Sequence, residues 1–183
     1  AEPSLTEYIP QRFTPTDPRY TDQWQWHNTG QGGGTVGADV SAEEAWGFTR
    51  GAGVRVAVID NGFDADHEDL VAGVSGMSGY FSSGTSGTAT FIQGTVGMPD
   101  SNHGTFCAGI VGARHNDGHG GCGAAPECDL MLIAALNDQV GTQTTLARAV
   151  AYASDPTTEV GSATVADGAD ILVCSLGPNG AVW

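Results

Sequence analysis

Gly53-Val54-Arg55-Val56-Ala57-Val58-Ile59-Asp60-Asn61-Gly62 is the stretch on which the fold turns. Its β-branched residues run almost without interruption, the pattern of a parallel strand buried on both faces. It ends in a turn composition, Asp60-Asn61-Gly62, so a carboxylate sits where the strand leaves the sheet. Two further apolar runs follow, Leu130 to Leu136 and Ile171-Leu172-Val173-Cys174, the second closing on Ser175-Leu176-Gly177. Between them, Thr144 to Ser154 places Leu146, Ala149, Val150 and Ala153 at helical spacing. Strands alternating with helices predict an α/β fold, a doubly wound and mostly parallel sheet with helices on both faces. Ligands bind such sheets at the carboxyl ends of the strands, and Asp60 and Ser175 both fall there.

A second stretch lies between these runs: Asp100-Ser101-Asn102-His103-Gly104-Thr105-Phe106-Cys107-Ala108-Gly109-Ile110-Val111-Gly112-Ala113. Asn102 is a helix-capping residue type, and Gly104, Ala108, Gly109, Gly112 and Ala113 let the helix lie close to its neighbour. A histidine in the first turn of such a helix is held rigidly, which suits a general base. Upstream, residues 1–40 read as an irregular arm, with Pro10, Pro15, Pro18 and a glycine run at 30–34, anchored by Trp24 and Trp26. Ser41 and Glu44 have the spacing of a capping box that opens a short helix through Trp46. Residues 75–98, rich in Gly, Ser and Thr, read as a long surface excursion.

Composition narrows the function. The 183 residues suffice for one α/β domain or part of a larger one. Acidic residues number 21 against six arginines and no lysine, a formal charge of −15. Nothing here could neutralise phosphates, so nucleic acid is excluded as a partner, whereas metal cations suit this balance. No apolar run reaches membrane-spanning length, and a mature chain beginning at Ala1 would have lost any signal peptide. Of four cysteines, Cys122 and Cys128 lie in a glycine-rich loop and are expected to form a local bridge; Cys107 and Cys174 read as buried free thiols. That bridge points to an extracellular location.

An aspartate closing one strand, a histidine opening a helix 43 residues later and a Ser-Leu-Gly closing another strand together resemble the subtilisin-like serine proteases, or subtilases. The apolar strand into Asp-x-Gly matches Val56 to Gly62, and His67-Glu68-Asp69-Leu70 follows it. His-Gly-Thr-x-x-Ala-Gly matches His103 through Gly109, and Gly-x-Gly-x-Ala-Pro matches Gly121 through Pro126. The opening Gln23-Trp24-Gln25-Trp26-His27-Asn28-Thr29-Gly30-Gln31 is similar to the start of the catalytic domain in many members, the kexin-like ones included. The likeness spans about residues 17–183. It implies residues 41–183 as the N-terminal portion of a single subtilisin-like peptidase domain, incomplete in this chain.

The resemblance assigns roles. His103 would act as general base and then general acid, with Asp60 holding its tautomer and stabilising the imidazolium. Ser175, Leu176 and Gly177 would offer backbone groups to an extended polypeptide substrate. The kexin-like enzymes carry acidic residues around the place occupied here by Pro178-Asn179-Gly180, so specificity for basic pairs is not implied. A calcium ion would be held by Asp17 in the arm, by Asp69 nine residues after Asp60, by the Asp117 side chain, and by carbonyls of Arg114, His119 and Gly121. The same loop admits a rival reading, a zinc module built on His115, His119, Cys122 and Cys128.

The family's nucleophile lies in a Gly-Thr-Ser motif near the end of its domain, and neither that motif nor the oxyanion asparagine follows the Ser-Leu-Gly strand before Trp183. Ser86 in Gly84-Thr85-Ser86-Gly87 precedes His103 and reads as a loop serine. The expectation is therefore a secreted endopeptidase whose serine comes from a C-terminal segment, with Trp183 as a processing or autolysis boundary next to the surface turn Pro178-Asn179-Gly180. A binding module on the same fold is the alternative.

Overall fold

The computed structural model describes residues 11–82, 89–94, 96, 102–136 and 142–177. Ser86, Pro178-Asn179-Gly180 and Trp183 lie outside the described residues. Five strands form one sheet: β1 (Arg55–Asp60), β2 (Gly79–Phe81), β3 (Phe91–Gln93), β4 (Asp129–Ala134) and β5 (Ile171–Val173), in the order β3-β2-β4-β1-β5. β1 pairs parallel with β4 and β5, β2 pairs parallel with β4, and only the β2–β3 hairpin is antiparallel. The helices are α1 (Ala42–Trp46), α2 (Asn102–Gly112) and α3 (Gln143–Ser154).

The apolar run of β1 is continuous because the strand is covered twice. Val56 and Val58, with Leu130, Leu132 and Ala134 of β4, face the cluster that includes Ala108 of α2. The alternating residues Ala57, Ile59, Met131 and Ile133 face Ala149, Tyr152 and Ala153 of α3. Period-two alternation thus sends each strand residue to one helix or the other. Small residues bring α2 close: a Cβ on Gly112 would come within 2.9 Å of the Leu130 side chain. The doubly wound α/β expectation holds.

Several local expectations do not. Residues 75–98 are more than a surface excursion, because they carry β2 and β3 and bury Ser75, Ser78, Phe81, Ala89 and Val96. α1 forms, but without the capping box. Ser41 adopts the left-handed region (φ 53, ψ 43) and makes no side-chain cap. Its amide instead donates to Asp39 Oδ1 at 2.9 Å, and an extended backbone is what an N-cap side chain needs. Asn102 is the first residue of α2.

The arm is irregular apart from short 3₁₀ turns, and one of its two tryptophans anchors it. Trp26 is buried against Trp46 and donates from Nε1 to the Cys122 carbonyl at 2.8 Å, whereas Trp24 is exposed. Beneath them lies Glu43, 1% exposed, which receives the Tyr20 hydroxyl at 2.9 Å and ion-pairs with Arg12. His27 Nδ1 lies 3.6 Å from the same carboxylate. Burial first, and then the Glu43 hydrogen bond, push the Tyr20 phenol far above its ordinary value, so it stays a donor. Removing one partner from such a buried set strands the others. Glu43→Ala is expected to cost about 1–3 kcal/mol. It should lower the thermal midpoint and speed amide exchange over residues 20–26, with β1 and β4 amides spared.

Candidate active site

β1 ends at Asp60, whose carboxylate is 1% exposed at the carboxyl edge of the sheet. Its Oδ1 accepts from the Asn61 amide at 2.7 Å and meets His103 Nδ1 at 2.8 Å. Its Oδ2 is buried and has no hydrogen-bond partner among the described residues. With Asp60 ionised, Nδ1 carries the ring proton and Nε2 is left as the basic nitrogen. The His103 side chain is 55% exposed, so Nε2 is open to an incoming group. A carboxylate fixing the tautomer of an exposed imidazole is an arrangement that can take a proton from a weak nucleophile.

The pair forms because the two segments are stitched together. Asn61 Oδ1 accepts from the Gly104 amide at 3.2 Å, and Thr105 Oγ1 accepts from the Asp64 amide at 2.9 Å. Gly104 has no room for a side chain, since a Cβ would overlap the Gly62 carbonyl oxygen and lie 3.1 Å from the Asp60 Cβ. Glycine there is a condition of the 2.8 Å bond.

Cys107 is the neighbour that sequence reasoning placed wrongly. It is half-buried, one helical turn beyond His103, with Sγ 3.9 Å from Nδ1 and 4.0 Å from Nε2, so it covers one face of the ring. The i, i+4 spacing was the available signal. Burial pushes the Cys107 thiol up, a hydrogen bond with Ser175 draws it down and the Asp60 carboxylate pushes it up again. Cys174 is exposed rather than buried.

Val58 pairs with Val173, and continuing that register brings Ser175 level with Asp60. Ser175 and Gly177 are exposed and Leu176 is half-buried, on a stretch that leaves β5 beside the dyad. Among the described residues β5 pairs with β1 alone.

Two of the expected calcium ligands, Asp17 and Asp69, bond to backbone amides of the loop after α2. Asp17 is buried and takes the amides of Asn116 and Asp117 at 2.9 and 3.2 Å, and the Arg19 amide donates to the Gly120 carbonyl at 2.8 Å. Asp69 Oδ2 accepts from the Gly121 amide at 3.2 Å, while Oδ1 is buried without a hydrogen-bond partner among the described residues. Burial pushes the Asp69 carboxyl up; the Gly121 bond opposes this, and Asp117 and Asp17 add to it. Like charges near an unsatisfied buried oxygen are the chemistry a hard cation relieves, but the side-chain oxygens of Asp17, Asp69 and Asp117 do not lie within reach of one ion. The Arg114 guanidinium turns away to the carbonyls of Pro126 and Cys128, leaving its backbone as the ligand candidate. The His119 ring turns to Glu68, with Nδ1 3.3 Å from its carboxylate, leaving the backbone carbonyl as the ligand candidate.

The zinc set does not assemble. His115 Nε2 pairs with Glu127 at 3.0 Å and its ring meets Phe13 edge-on, while Cys122 and Cys128 sit in separate apolar clusters. Among the described residues the only trio of metal-ligating side chains within reach of one ion is Asp60, His103 and Cys107. The expected Cys122–Cys128 bridge is likewise absent, both thiols being free and buried. Burial, with Asp17 and Asp69, holds the Cys122 thiol up to about 12.

The profile of the Subtilase family matches residues 51–183. The chain belongs to the subtilase family. Relatives of this subtilase include the calcium-dependent protease of Nostoc sp., 33% identical over 164 residues that make up 90% of this chain and 22% of that protein. Neuroendocrine convertase 2 of Bos taurus is 40% identical over 112 residues, 60% of this chain and 17% of the other, which fits the kexin-like opening. The crystal structure of the serine protease of Aeromonas sobria is similar with a TM-score of 0.63 at 28% identity, covering 88% of this subtilase and 27% of its own chain. This chain spans less than a third of the length of each.

The close approach at Gly104 is testable without assuming any activity. Gly104→Ala is expected to cost about 1–3 kcal/mol by overpacking. A crystal structure of the variant should show His103 Nδ1 and Asp60 Oδ1 drawn apart beyond hydrogen-bond distance.

Proposed function

We propose that this subtilase chain is the aspartate- and histidine-bearing part of a serine endopeptidase. The observation that carries the reading is the 2.8 Å contact between His103 Nδ1 and Asp60 Oδ1 at the carboxyl edge of the sheet. His103 Nε2 takes the proton of a serine hydroxyl as it attacks the peptide carbonyl, then returns it to the leaving amine. Asp60 holds the tautomer and stabilises the imidazolium. The serine and the oxyanion asparagine come from a C-terminal segment of the same protease, consistent with a chain that covers 22% of the Nostoc relative. Residues 1–40 and 41–183 act together, as docking arm and as N-terminal portion of one peptidase domain. The substrate is a polypeptide lying along Ser175, Leu176 and Gly177 and pairing with their backbone groups as an added strand.

The test uses the complete protease containing this chain. His103→Ala or Asp60→Asn should each lower kcat on a peptide substrate by about 10⁴-fold while the circular dichroism spectrum stays near that of the parent. Near-normal turnover by His103→Ala would remove the catalytic reading and leave the binding module.

Calcium is the second part of the proposal. Asp17, Asp69 and Asp117 would hold it with the carbonyls of Arg114, His119 and Gly121, tying the arm to the loop after α2. When bound, the ion supplies charge compensation and stiffness at a distance from the dyad. Such a site, built partly of neutral carbonyls, fills most readily where calcium is abundant, and on that ground we place the enzyme outside the cell. The thiol argument for that location is withdrawn with the bridge. Among the described residues no helix is long and apolar enough to cross a membrane. Excess chelator should lower the thermal midpoint, by an amount corresponding to about 2.7 kcal/mol at a calcium level a hundredfold above Kd. Asp69→Ala should erase most of the difference between calcium and chelator. Identical melting curves in the parent protein would overturn the site.

A further inference from the structure

The middle residue of the Asp60-Asn61-Gly62 turn has a part to play that its position in the motif does not explain. Asn61 contacts both halves of the dyad at once. Its backbone amide donates to Asp60 Oδ1 at 2.7 Å, the same oxygen that meets His103 Nδ1. Its side-chain oxygen accepts from the Gly104 amide at 3.2 Å, the residue next to His103 in the chain.

The first amides of any α-helix lack partners within the helix, and an oxygen placed beside them both satisfies a donor and fixes where the helix starts. In α2 that oxygen for Gly104 comes from the catalytic turn, not from a residue of the helix itself. The contact is tight on both sides. Gly104 admits no Cβ against the Gly62 carbonyl, so the helix start is pressed onto the turn, and the Asn61 bond crosses that contact beside the one from the Asp64 amide to Thr105 Oγ1. His103 hangs on the segment so held. A hydrogen bond of 2.8 Å tolerates a shift of only a few tenths of an ångström before it weakens.

We infer that Asn61 is a positioning residue. By clamping the Gly104 amide to the turn that carries Asp60, it sets the separation of His103 and Asp60, and so the basicity and aim of Nε2. The inference rests on the protease reading only for its kinetic consequence; its geometric content stands apart from any activity.

The complete protease is compared as Asn61→Ala, which removes the acceptor, and Asn61→Asp, which keeps an oxygen in place and favours a helix N-terminus. Two readouts are taken. The first is the low-field NMR resonance of the His103 Nδ1 proton, which reports the bond to Asp60 whether or not the enzyme turns over. It should be lost or moved upfield in Asn61→Ala and retained in Asn61→Asp. The second is steady-state kinetics on a peptide substrate. Asn61→Ala should lower kcat by about tenfold to a hundredfold with KM unchanged within about twofold, and Asn61→Asp should recover most of kcat. An unaltered resonance in Asn61→Ala overturns the inference, as does a loss that Asn61→Asp fails to restore while the thermal midpoint falls in both. If the resonance behaves as expected but the parent protein shows no peptidase activity, the positioning role survives and the protease reading fails.

Discussion

The hydrogen bond between Asp60 and His103 joins residues 43 apart in the chain, and each partner is immobilised by a different part of the core. Asp60 is the last residue of β1, and every position of that strand from Val56 onward is buried. His103 stands on α2, whose small residues let it settle onto β1 and β4 with Ala108 fully enclosed. A buried carboxylate with one unsatisfied oxygen is costly unless a partner offsets it, and here the partner is an exposed imidazole. The cost is borne at the edge of the sheet, where strand ends open to solvent. This is where a doubly wound fold leaves room for chemistry.

Both ends of α2 meet a candidate site. Its first turn presents His103, clasped by the turn that follows β1. Its last turn runs into Arg114 to Gly121, the loop that meets Asp17 and Asp69. The arm reaches that loop through Gln23, which exchanges two hydrogen bonds with Cys122, and it is held from behind by Trp26, Trp46 and Glu43. One rigid helix therefore links the dyad to the carboxylate cluster.

The elements that could be read in advance were those whose burial leaves a composition. β1 and β4 are apolar runs because both faces are covered, whereas β5, equally apolar, is only partly buried, and α2 announces itself through glycine and alanine because it must lie close. β2 and β3 were not legible. They are three residues each, embedded in Gly, Ser and Thr, and they exist because they complete an edge beside β4 rather than because of local propensity. Ser41 fails as a cap for a related reason. Its spacing to Glu44 fits the pattern, but the arm imposes a left-handed backbone that takes its hydroxyl out of range.

The amino-acid sequence by itself determined the fold class, the family, and the identity of the two residues that meet at the strand ends. These are properties of residue type and spacing along segments that the core requires. Whether Cys122 and Cys128 pair, whether the loop histidines gather and what lies against the imidazole depended on how segments distant in the chain are superimposed. Cys122 and Cys128 are six positions apart yet belong to separate apolar clusters, whereas Cys107 and Ser175 are far apart in sequence and adjacent at the dyad. The clamp from Asn61 to Gly104 is of the same kind. A short polar side chain can bond its own turn, solvent or a neighbouring helix, and only the packing of α2 onto β1 decides among them.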